Sequence, residues 1–269
     1  MPRVSVIMGV HNYADYRVLS AALLSILNQT FNDFEFIICD DGSTDDTYDK
    51  LRKICDSDSR IRLIRNKTNK GLAASLNRCL ELATGDYIAR MDSDDISTLD
   101  RLEKEVVFLD NNKKYDWTGT NAFLINDNGI WGERVMIEIP KKKDLLFTSP
   151  FIHPSVMIRR EVILSVGGYR VSRETTRAED YDLWLRLYAQ GYQGYNIQDC
   201  LYKFREDNNA FHRRAYRYRI QEAIVRYKGF SQIGMLLEGL PYVVKPLIVG
   251  LIPQRILTKL RRDQIIYRK

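Results

Sequence analysis

The N-terminal third of the chain alternates short apolar runs with segments whose apolar residues recur at helical spacing. Val4–Val10 is a nearly unbroken run of β-branched and apolar residues, which is typical of a strand buried on both faces of a sheet. Three similar runs follow, at Phe34–Asp40, Ile61–Arg65 and residues 86–90. Segments with helical spacing separate them, at residues 18–28, 44–55 and 71–83. This βαβαβαβ order predicts a parallel, doubly wound sheet.

Three acidic clusters occur in a fixed order, within residues 39–47, 90–97 and 177–187. The first two directly follow predicted strands. Because ligands of doubly wound sheets bind beyond the carboxyl ends of the strands, both clusters are expected beside a ligand pocket. Together the three clusters suggest a site that holds a diphosphate through a divalent metal and keeps a separate carboxylate for proton transfer. Beyond the second cluster, the pattern predicts a helix near residues 99–111 and a strand near Trp117–Asn126.

Two common nucleotide-binding loops are absent from the sequence. The turn after the first predicted strand, residues 9–13, lacks the GxGxxG pattern, which disfavours a dinucleotide-binding fold. No GxxxxGK[ST] motif occurs, so a P-loop is excluded. The same turn lacks the glycine-rich nucleotide loop that a sugar-nucleotide pyrophosphorylase, an enzymatic alternative, requires. The diphosphate is therefore expected to be held by a metal bound to carboxylates.

The segment Asp92-Ser93-Asp94 is the candidate metal site. Alternate side chains of an extended segment point to the same side, so the two carboxylates are expected to lie together. Carboxylate oxygens suit Mg²⁺ or Mn²⁺, and these ions also bind phosphate oxygens. The alternative interpretations are a solvated turn, or an N-cap of the next helix provided by Asp95 or Ser97.

Four segments in order resemble the consecutive signatures of one enzyme family: VSVIMGVHNYADY, SILNQTFNDFEFIICDDGSTDDT, NKGLAASLNRCLELATGDYIARMDSDDIS and AEDYDLWLRL. They are similar to the family-2 inverting glycosyltransferases, and the resemblance covers roughly residues 3–205. It is strongest to bacterial enzymes that build O-antigen, capsule or related surface polysaccharides. The resemblance implies an α/β GT-A fold with a doubly wound, mostly parallel central sheet, and Mn²⁺ or Mg²⁺ as cofactor.

The resemblance also implies which residues bind a nucleotide-sugar donor. Asp41 would contact the nucleotide base, and since a carboxylate suits the N3–H donor of uracil, a UDP-linked sugar is expected. Gly9 and His11 would lie along the nucleoside, and Lys70 would lie near the nucleotide.

Local alternatives exist for two of these assignments. The sequence Asp40-Asp41-Gly42-Ser43 also fits an Asx-turn that starts a helix, with Ser43 or Thr44 as the helix cap. Lys70 also fits a solvated loop residue.

Three carboxylates receive roles in the reaction by resemblance. Asp92 would reach the ribose or the metal, Asp94 would be the direct metal ligand, and Asp180 would be the catalytic base. An inverting displacement needs one base on the acceptor side and no nucleophile, whereas double displacement needs a second carboxylate. Glu179 is the alternative base, and Asp182 is interpreted as a solvated or capping residue. From the residues alone, an acidic first helical turn favoured by the helix dipole explains the same pattern.

Two further side chains are assigned to a possible substrate pocket by resemblance. His153 would line the donor or acceptor site, although a structural histidine fits its position equally well. Arg177, in the stretch before the base-bearing helix, could contact the donor phosphates.

The C-terminal quarter of the chain carries the positive charge. The net charge is +6, and residues 253–269 contain six basic residues and one acid. The apolar segment before them, residues 236–252, is interrupted by prolines and charge, so it is too broken to span a bilayer. We expect a catalytic domain over residues 1–209 and a basic, amphipathic helical region over residues 210–269 that binds an anionic membrane surface.

The expected partners follow from these assignments: a nucleotide-sugar donor, a lipid-linked saccharide acceptor and the cytoplasmic face of the cell membrane. The first apolar run is too short for a signal peptide, and the four cysteines lack metal spacing, which is typical of reduced thiols in a cytoplasmic protein. The alternative from another class is a nucleic-acid-binding protein that uses the basic, aromatic segment near residues 211–219. Because acidic clusters line the predicted pocket, nucleic acid is not expected as a partner.

Overall fold

The computed structural model describes residues 1–13, 15–206 and 216–251. Within them, nine strands form one sheet. The strands are β1 Val4–Val10, β2 Phe34–Asp40, β3 Ile61–Arg65, β4 Tyr87–Arg90, β5 Ile96–Ser97, β6 Trp117–Asn126, β7 Gly129–Arg134, β8 Met157–Arg159 and β9 Gly194–Arg205. The helices are α1 Tyr16–Leu27, α2 Thr47–Cys55, α3 Leu72–Leu82, α4 Arg101–Asn111, α5 Arg160–Ser165, α6 Glu179–Ala189, α7 Tyr216–Gln232 and α8 Leu236–Leu251. Short 3-10 helices cover Lys142–Leu146 and His153–Ser155.

The N-terminal half of the sheet has the predicted parallel arrangement. Its strands lie in the order β3-β2-β1-β4, and all three pairings are parallel. Val10 pairs with Asp40 across β1 and β2, and Ile7 pairs with Arg90 across β1 and β4. The carboxyl ends of β1, β2 and β4 therefore meet at one edge of the sheet, and this edge carries the first two acidic clusters.

The other half of the sheet is mixed. β8 is antiparallel to both β4 and β6, whereas β6 and β9 are parallel. The two-residue strand β5 pairs antiparallel with β9, and β7 forms a hairpin on the outer side of β6. This arrangement brings the end of β9 beside the chain that follows β4.

Both faces of β1, β2 and β4 are buried, which explains their continuous apolar runs. Alternate residues of a strand point to opposite faces. Val6 and Met8 belong to a core with α1 and α4 on one face, and Ile7 belongs to a core with α3 and α6 on the other. A strand covered on both sides needs apolar residues at every position, as the sequence of β1 has.

A cluster of aromatic rings joins the sheet to α6. Trp117 at the start of β6 is fully buried, and its ring lies 5.7 Å from that of Trp184, 5.5 Å from that of Tyr188 and 5.4 Å from that of Phe151. The first turn of α6 carries the third acidic cluster. This packing therefore determines where that cluster lies relative to the sheet.

The expected helix caps were wrong at two places. The N-cap of α2 is Asp46 rather than Ser43 or Thr44, because both of these residues bond to Asn12 instead. The N-cap of α4 is Asp100, rather than Asp95 or Ser97. Residues distant in the sequence form hydrogen bonds with the expected cap residues, and the helices begin a few residues later.

The C-terminal helices α7 and α8 form a hairpin packed on the rest of the protein. Val225 and Phe230 of α7 belong to the same core as α6, and Nη1 of Arg226 donates to the Leu146 carbonyl at 2.9 Å. At Gly239, α8 lies so close to Phe230 that a side chain would clash with the ring. No helix in the described part of the chain is long and apolar enough to cross a membrane.

We expect Trp117→Ala to lower the free energy of unfolding by about 3–5 kcal/mol, as for other large aromatic truncations in cores. The rings of α6 would lose their support. Trp131→Ala is the matched control, because that ring is 42% exposed, and its change should stay within about 0.5 kcal/mol. Urea denaturation followed by circular dichroism measures both, and equal midpoints for the two variants would contradict this account of the core.

Candidate active site

Asp41 is buried and organises the loop that follows β3. Its Oδ1 accepts from the Asn66 side-chain amide at 2.6 Å and from the Lys70 backbone N–H at 3.0 Å, and its Oδ2 accepts from the Gly71 N–H at 2.7 Å. The structure thus brings the Lys70 backbone to Asp41, while the Lys70 side chain is exposed. Since an ionised carboxylate has about four acceptor positions, Asp41 retains capacity for one more donor.

The loop after β1 is tied to the loop after β2 through Asn12. The Asn12 N–H donates to the Ser43 hydroxyl at 3.0 Å, and the Thr44 N–H donates to the Asn12 side-chain oxygen at 2.9 Å. Asn12 has a φ of 47°, a conformation that asparagine adopts more readily than most residues. His11 beside it is exposed, and Gly9 leaves room for Leu72. Asn12 was missed in the sequence, although an asparagine directly after a strand is a recognisable turn signal.

Asp92, Asp94 and Asp95 form a compact acidic cluster. One carboxylate oxygen from each lies within 4.8 Å of the others. Burial and the neighbouring Asp92 raise the pKa of Asp94 to about 6. Burial, Asp92 and Asp94 also raise the pKa of Asp95 well above its usual value. Burial and, after it, repulsion between the neighbouring carboxylates disfavour the charged forms of Asp94 and Asp95, and a bound cation would favour them.

The loop that carries this cluster is held by β9. The Arg205 N–H donates to Oδ1 of Asp95 at 2.7 Å, and its Nε donates to the Asp94 carbonyl at 3.2 Å. The Tyr202 hydroxyl accepts from the Asp92 N–H at 3.3 Å. Oδ2 of Asp95 is buried and has no hydrogen-bond partner among the described residues. Arg205 and Tyr202 were not identified from the sequence, because about 110 residues separate them from the cluster.

Arg90, the last residue of β4, places a buried cation under the cluster. Its guanidinium is almost completely buried and forms an ion pair with Oδ2 of Asp92 through Nη1. Its Nε has no hydrogen-bond partner within the part of the chain described. Arg90 was not predicted as a site residue, although an arginine at the end of an apolar strand is an unusual pattern.

His153 is buried beside Arg90. Its Nε2 lies 2.8 Å from the Tyr169 hydroxyl, and burial together with Arg90 lowers the pKa of His153 well below its usual value. The histidine is therefore neutral, and its ring packs edge-on against Trp184 at 6.1 Å.

Glu179 and Asp180 lie in the first turn of α6, facing the same buried region. Burial and Asp180 raise the pKa of Glu179, and Arg90 and Asp92 also act on it electrostatically. Burial, opposed by the Arg90 charge and assisted by Asp180 and Glu179, raises the pKa of Tyr169. The second and third acidic clusters therefore meet around Arg90 and Tyr169.

The expectation that Asp182 is solvated or caps the helix was wrong. Asp182 is buried, and its carboxylate pairs with Nη1 of Arg170 at 2.9 Å and with Nε of Arg186 at 2.7 Å. These ion pairs bind the preceding loop to α6. The Asp182 carboxylate is thus ion-paired with two guanidinium groups, and its role is to hold the loop and the helix together.

Arg177 lies against the C-terminal hairpin. Its guanidinium stacks over the Tyr218 ring of α7 at 5.0 Å, and its φ is 63°. The structure does not bring its side chain into the acidic cluster, so its contact with donor phosphates stays a prediction.

Comparison with known proteins gives two matching family models. "Glycosyl transferase family 2" matches residues 5–167, and "Glycosyl transferase family group 2" matches residues 87–258. EpsE of Bacillus subtilis strain 168 is 42% identical over 269 residues, which is 100% of this chain and 96% of that protein. The Escherichia coli UDP-Glc:alpha-D-GlcNAc-diphosphoundecaprenol beta-1,3-glucosyltransferase WfaP is 32% identical over 76% of this chain and 78% of its own.

Two solved structures share the architecture. Staphylococcus aureus TarS 1–349 in complex with UDP-GlcNAc superposes with a TM-score of 0.69 at 19% identity, over 90% of this chain and 73% of that one. The mannosyltransferase PcManGT from Pyrobaculum calidifontis, in complex with GDP-Man and Mn²⁺, gives a TM-score of 0.64 at 18% identity, over 99% of this chain and 81% of that one. The expected GT-A fold is thereby confirmed. Since the first family model spans more than half of the sequence, the chain belongs to glycosyltransferase family 2.

Proposed function

We propose that the protein is an inverting glycosyltransferase of bacterial surface polysaccharide synthesis. It transfers a sugar from a nucleoside diphosphate, of the UDP type, to a hydroxyl group of a lipid-linked saccharide. The observation that carries the proposal is the meeting of two acidic sets at one sheet edge, Asp92–Asp94–Asp95 and Glu179–Asp180. One set suits the donor diphosphate and the other suits proton acceptance from the acceptor.

The donor would lie across the carboxyl ends of β1, β2 and β4. Asp41 has a remaining acceptor position for the N3–H of uracil. Gly9, His11 and Lys70 border the same loops. TarS, which has this fold, is described in complex with UDP-GlcNAc, and this supports a uridine nucleotide for the present chain.

The acidic cluster fits a divalent metal. It offers three hard oxygen donors within 4.8 Å, and one buried oxygen of Asp95 has no hydrogen-bond partner among the described residues. Asp94 would be the direct ligand, with Asp92 toward the ribose or the metal. These residues would hold Mn²⁺ or Mg²⁺, which would supply positive charge next to the departing diphosphate. PcManGT, described with Mn²⁺, has the same fold.

Asp180 would act as the base. It accepts the proton of the acceptor hydroxyl while that oxygen bonds to the anomeric carbon. The bond from this carbon to the diphosphate breaks on the opposite face, and its electron pair leaves with the nucleotide. One displacement inverts the anomeric centre and needs no enzyme nucleophile. Asp182, paired with two arginines, is excluded from this role.

Asp180→Asn should lower kcat by about 10²–10⁴-fold, the usual contribution of general-base catalysis, because the amide cannot accept the proton. The KM for the donor should change little, since Asp180 is placed on the acceptor side. Steady-state kinetics with a saccharide acceptor measures both constants. Glu179→Gln is the matched control: if it is the crippling change and Asp180→Asn is mild, the base is Glu179.

Binding of Mn²⁺ should depend on pH in a defined direction. A protonated carboxyl is a poor ligand, so binding must displace the proton of Asp94, whose pKa is about 6. We expect the apparent affinity for Mn²⁺ to fall as the pH drops, by about tenfold or more per pH unit below that value. Calorimetric titration of Mn²⁺ in the presence of UDP measures this dependence.

Two variants sharpen the metal experiment. Asp94→Asn should weaken Mn²⁺ binding and flatten its pH dependence, whereas Asp33→Asn, an exposed carboxylate before β2, should behave like the unmodified protein. Transfer activity that persists after complete removal of divalent ions with EDTA would refute metal assistance.

The acceptor is proposed from a relative and from the charge of the chain. WfaP is named for a diphosphoundecaprenol-linked acceptor. In the present chain, residues 253–269 carry a net charge of +5, from six basic residues and one acid; they lie outside the described residues. We infer peripheral binding to the inner face of the cell membrane, where such an acceptor is embedded. Near an anionic leaflet each basic residue contributes about 1 kcal/mol.

The full chain should co-sediment with phosphatidylglycerol vesicles at low salt and be released at high salt, because salt screens surface charges. Replacing Lys259, Arg261 and Arg262 by Glu should weaken this binding at least about tenfold. Replacing the same residues by Gln separates loss of attraction from added repulsion. Unchanged sedimentation of the Glu variant would show that the basic tail does not bind the membrane.

A further inference from the structure

The segment from β7 to the following 3-10 helix exposes an unusual row of apolar side chains. Trp131, Val135, Ile137 and Ile139 are all exposed, Val135 by 66%. The row lies at odd-numbered positions, while Met136 between them packs against the core. Glu133, at the odd-numbered position between Trp131 and Val135, is exposed as well, and the four apolar side chains of this row form an outward stripe. We name residues 129–139 the rim ribbon.

The rim ribbon is held rigidly, so its stripe is a fixed surface. The Met136 N–H donates to the Asn121 side chain at 2.8 Å. Asn196 of β9 donates to the Ile137 carbonyl through its side chain and to the Glu138 carbonyl through its backbone, both at 2.8 Å. The inner edge of the ribbon is therefore bonded to the sheet, and its outer face is left without cover among the described residues.

Contacts at the two ends of the rim ribbon connect it to the loop of the acidic cluster and to the C-terminal part of α6. At one end, Asp127 of the turn before β7 pairs at 2.9 Å with Arg205, which also holds the acidic cluster. At the other end, the Pro140 carbonyl accepts from the Tyr188 hydroxyl of α6 at 2.8 Å. The ribbon thus runs from the donor side of the site to the helix that carries Asp180.

Positive charge follows the apolar stripe directly. Lys141, Lys142 and Lys143 are exposed, and none of them forms an ion pair with an acid in the described part of the chain. Three adjacent cations would repel the same face of a second copy of this chain. They complement an anionic lipid surface, where lysine stems lie along apolar groups and the ammonium groups reach the headgroups.

A second exposed apolar row lies on α8. It consists of residues at helical spacing: Leu237, Leu240, Val244, Ile248 and Leu251. The ring of Phe147, a residue 53% exposed, packs against the Tyr242 ring of the same helix at 4.8 Å.

We propose that the rim ribbon is a membrane-binding surface that inserts Trp131, Val135 and Ile137 into the interface of an anionic bilayer. This rests on the proposed function, since a lipid-linked acceptor requires the site to lie close to the membrane. The ribbon sets which side of the protein faces the lipid, while the basic tail supplies long-range attraction. Together they direct the site toward the bilayer.

Trp131 provides a direct test in the full chain. The other two tryptophans, Trp117 and Trp184, are fully buried, so lipid contact should affect Trp131 alone. With vesicles of phosphatidylglycerol and phosphatidylcholine that carry brominated acyl chains, we expect quenching of tryptophan emission, and Trp131→Phe should remove it. Vesicle binding without quenching of Trp131 would overturn the proposal and leave attachment through the tail alone.

A triple variant measures the contribution to binding. Trp131→Ser, Val135→Ser and Ile137→Ser together should weaken vesicle binding about tenfold or more, while UDP binding stays unchanged. The matched control replaces three apolar residues of similar exposure elsewhere, Leu24, Val107 and Leu164, by Ser. Equal losses in both triple variants would show that general hydrophobicity, not this surface, binds lipid.

The remaining outcomes separate this proposal from the proposed function. Sedimentation equilibrium of the lipid-free chain tests for a dimer; a dimer that the ribbon variant abolishes, with no loss of vesicle binding, would assign the surface to a second copy instead. Failure to bind or turn over any UDP-sugar, with Trp131 still quenched by lipid, would refute the proposed function and retain the membrane surface.

Discussion

The ion pair between Arg90 and Asp92 is the interaction on which the candidate site depends. Five carboxylates converge at one sheet edge, and uncompensated buried charge is costly. Arg90 lies at the end of β4, whose backbone is hydrogen-bonded to β1 and β8 on its two sides. The position of the guanidinium relative to the carboxylates is therefore fixed by the sheet. Breaking a buried pair by removal of one partner typically costs about 3–5 kcal/mol. Burial and the neighbouring carboxylates still raise the pKa of Asp94 and of Glu179, so an added positive charge would stabilise the ionised carboxylates of the site.

The residues of the candidate site are held by rigid supports. The backbone under the site consists of parallel strand ends, and the loops beyond them are cross-linked by side chains such as Asn12 and Asp41. The helix whose first turn carries Glu179 and Asp180 packs on the sheet through the rings of Trp117 and Trp184. Catalytic groups held by packed supports need little reorganisation when charge develops on the leaving diphosphate.

The sequence predicted the elements whose pattern is local and failed where partners are distant. The runs of β1, β2, β3 and β6 matched the observed strands. For β1 and β2 the reason is that both faces of the strand are buried and require apolar residues. Ser43, Thr44 and Asp95 looked like helix caps, but tertiary donors and acceptors use them first. Asp182 looked solvated because its partner Arg170 lies in a loop without periodic pattern. Arg90 and Arg205 carry no motif of their own, and only the pairing of β5 with β9 shows why Arg205 reaches the cluster.

The mixed half of the sheet gives the site its orientation. A sheet of parallel strands alone would place the proposed donor site and the proposed base side by side. It would not define the direction from which an acceptor approaches the site. The rim ribbon is bonded at Arg205 and at Tyr188, so its outer face extends from the loop of the acidic cluster to the C-terminal part of α6. A sugar chain that is tethered to a lipid has few conformations that reach far from the bilayer. The proposed membrane orientation would therefore let the site bind the reacting hydroxyl group of such a chain without extracting the lipid.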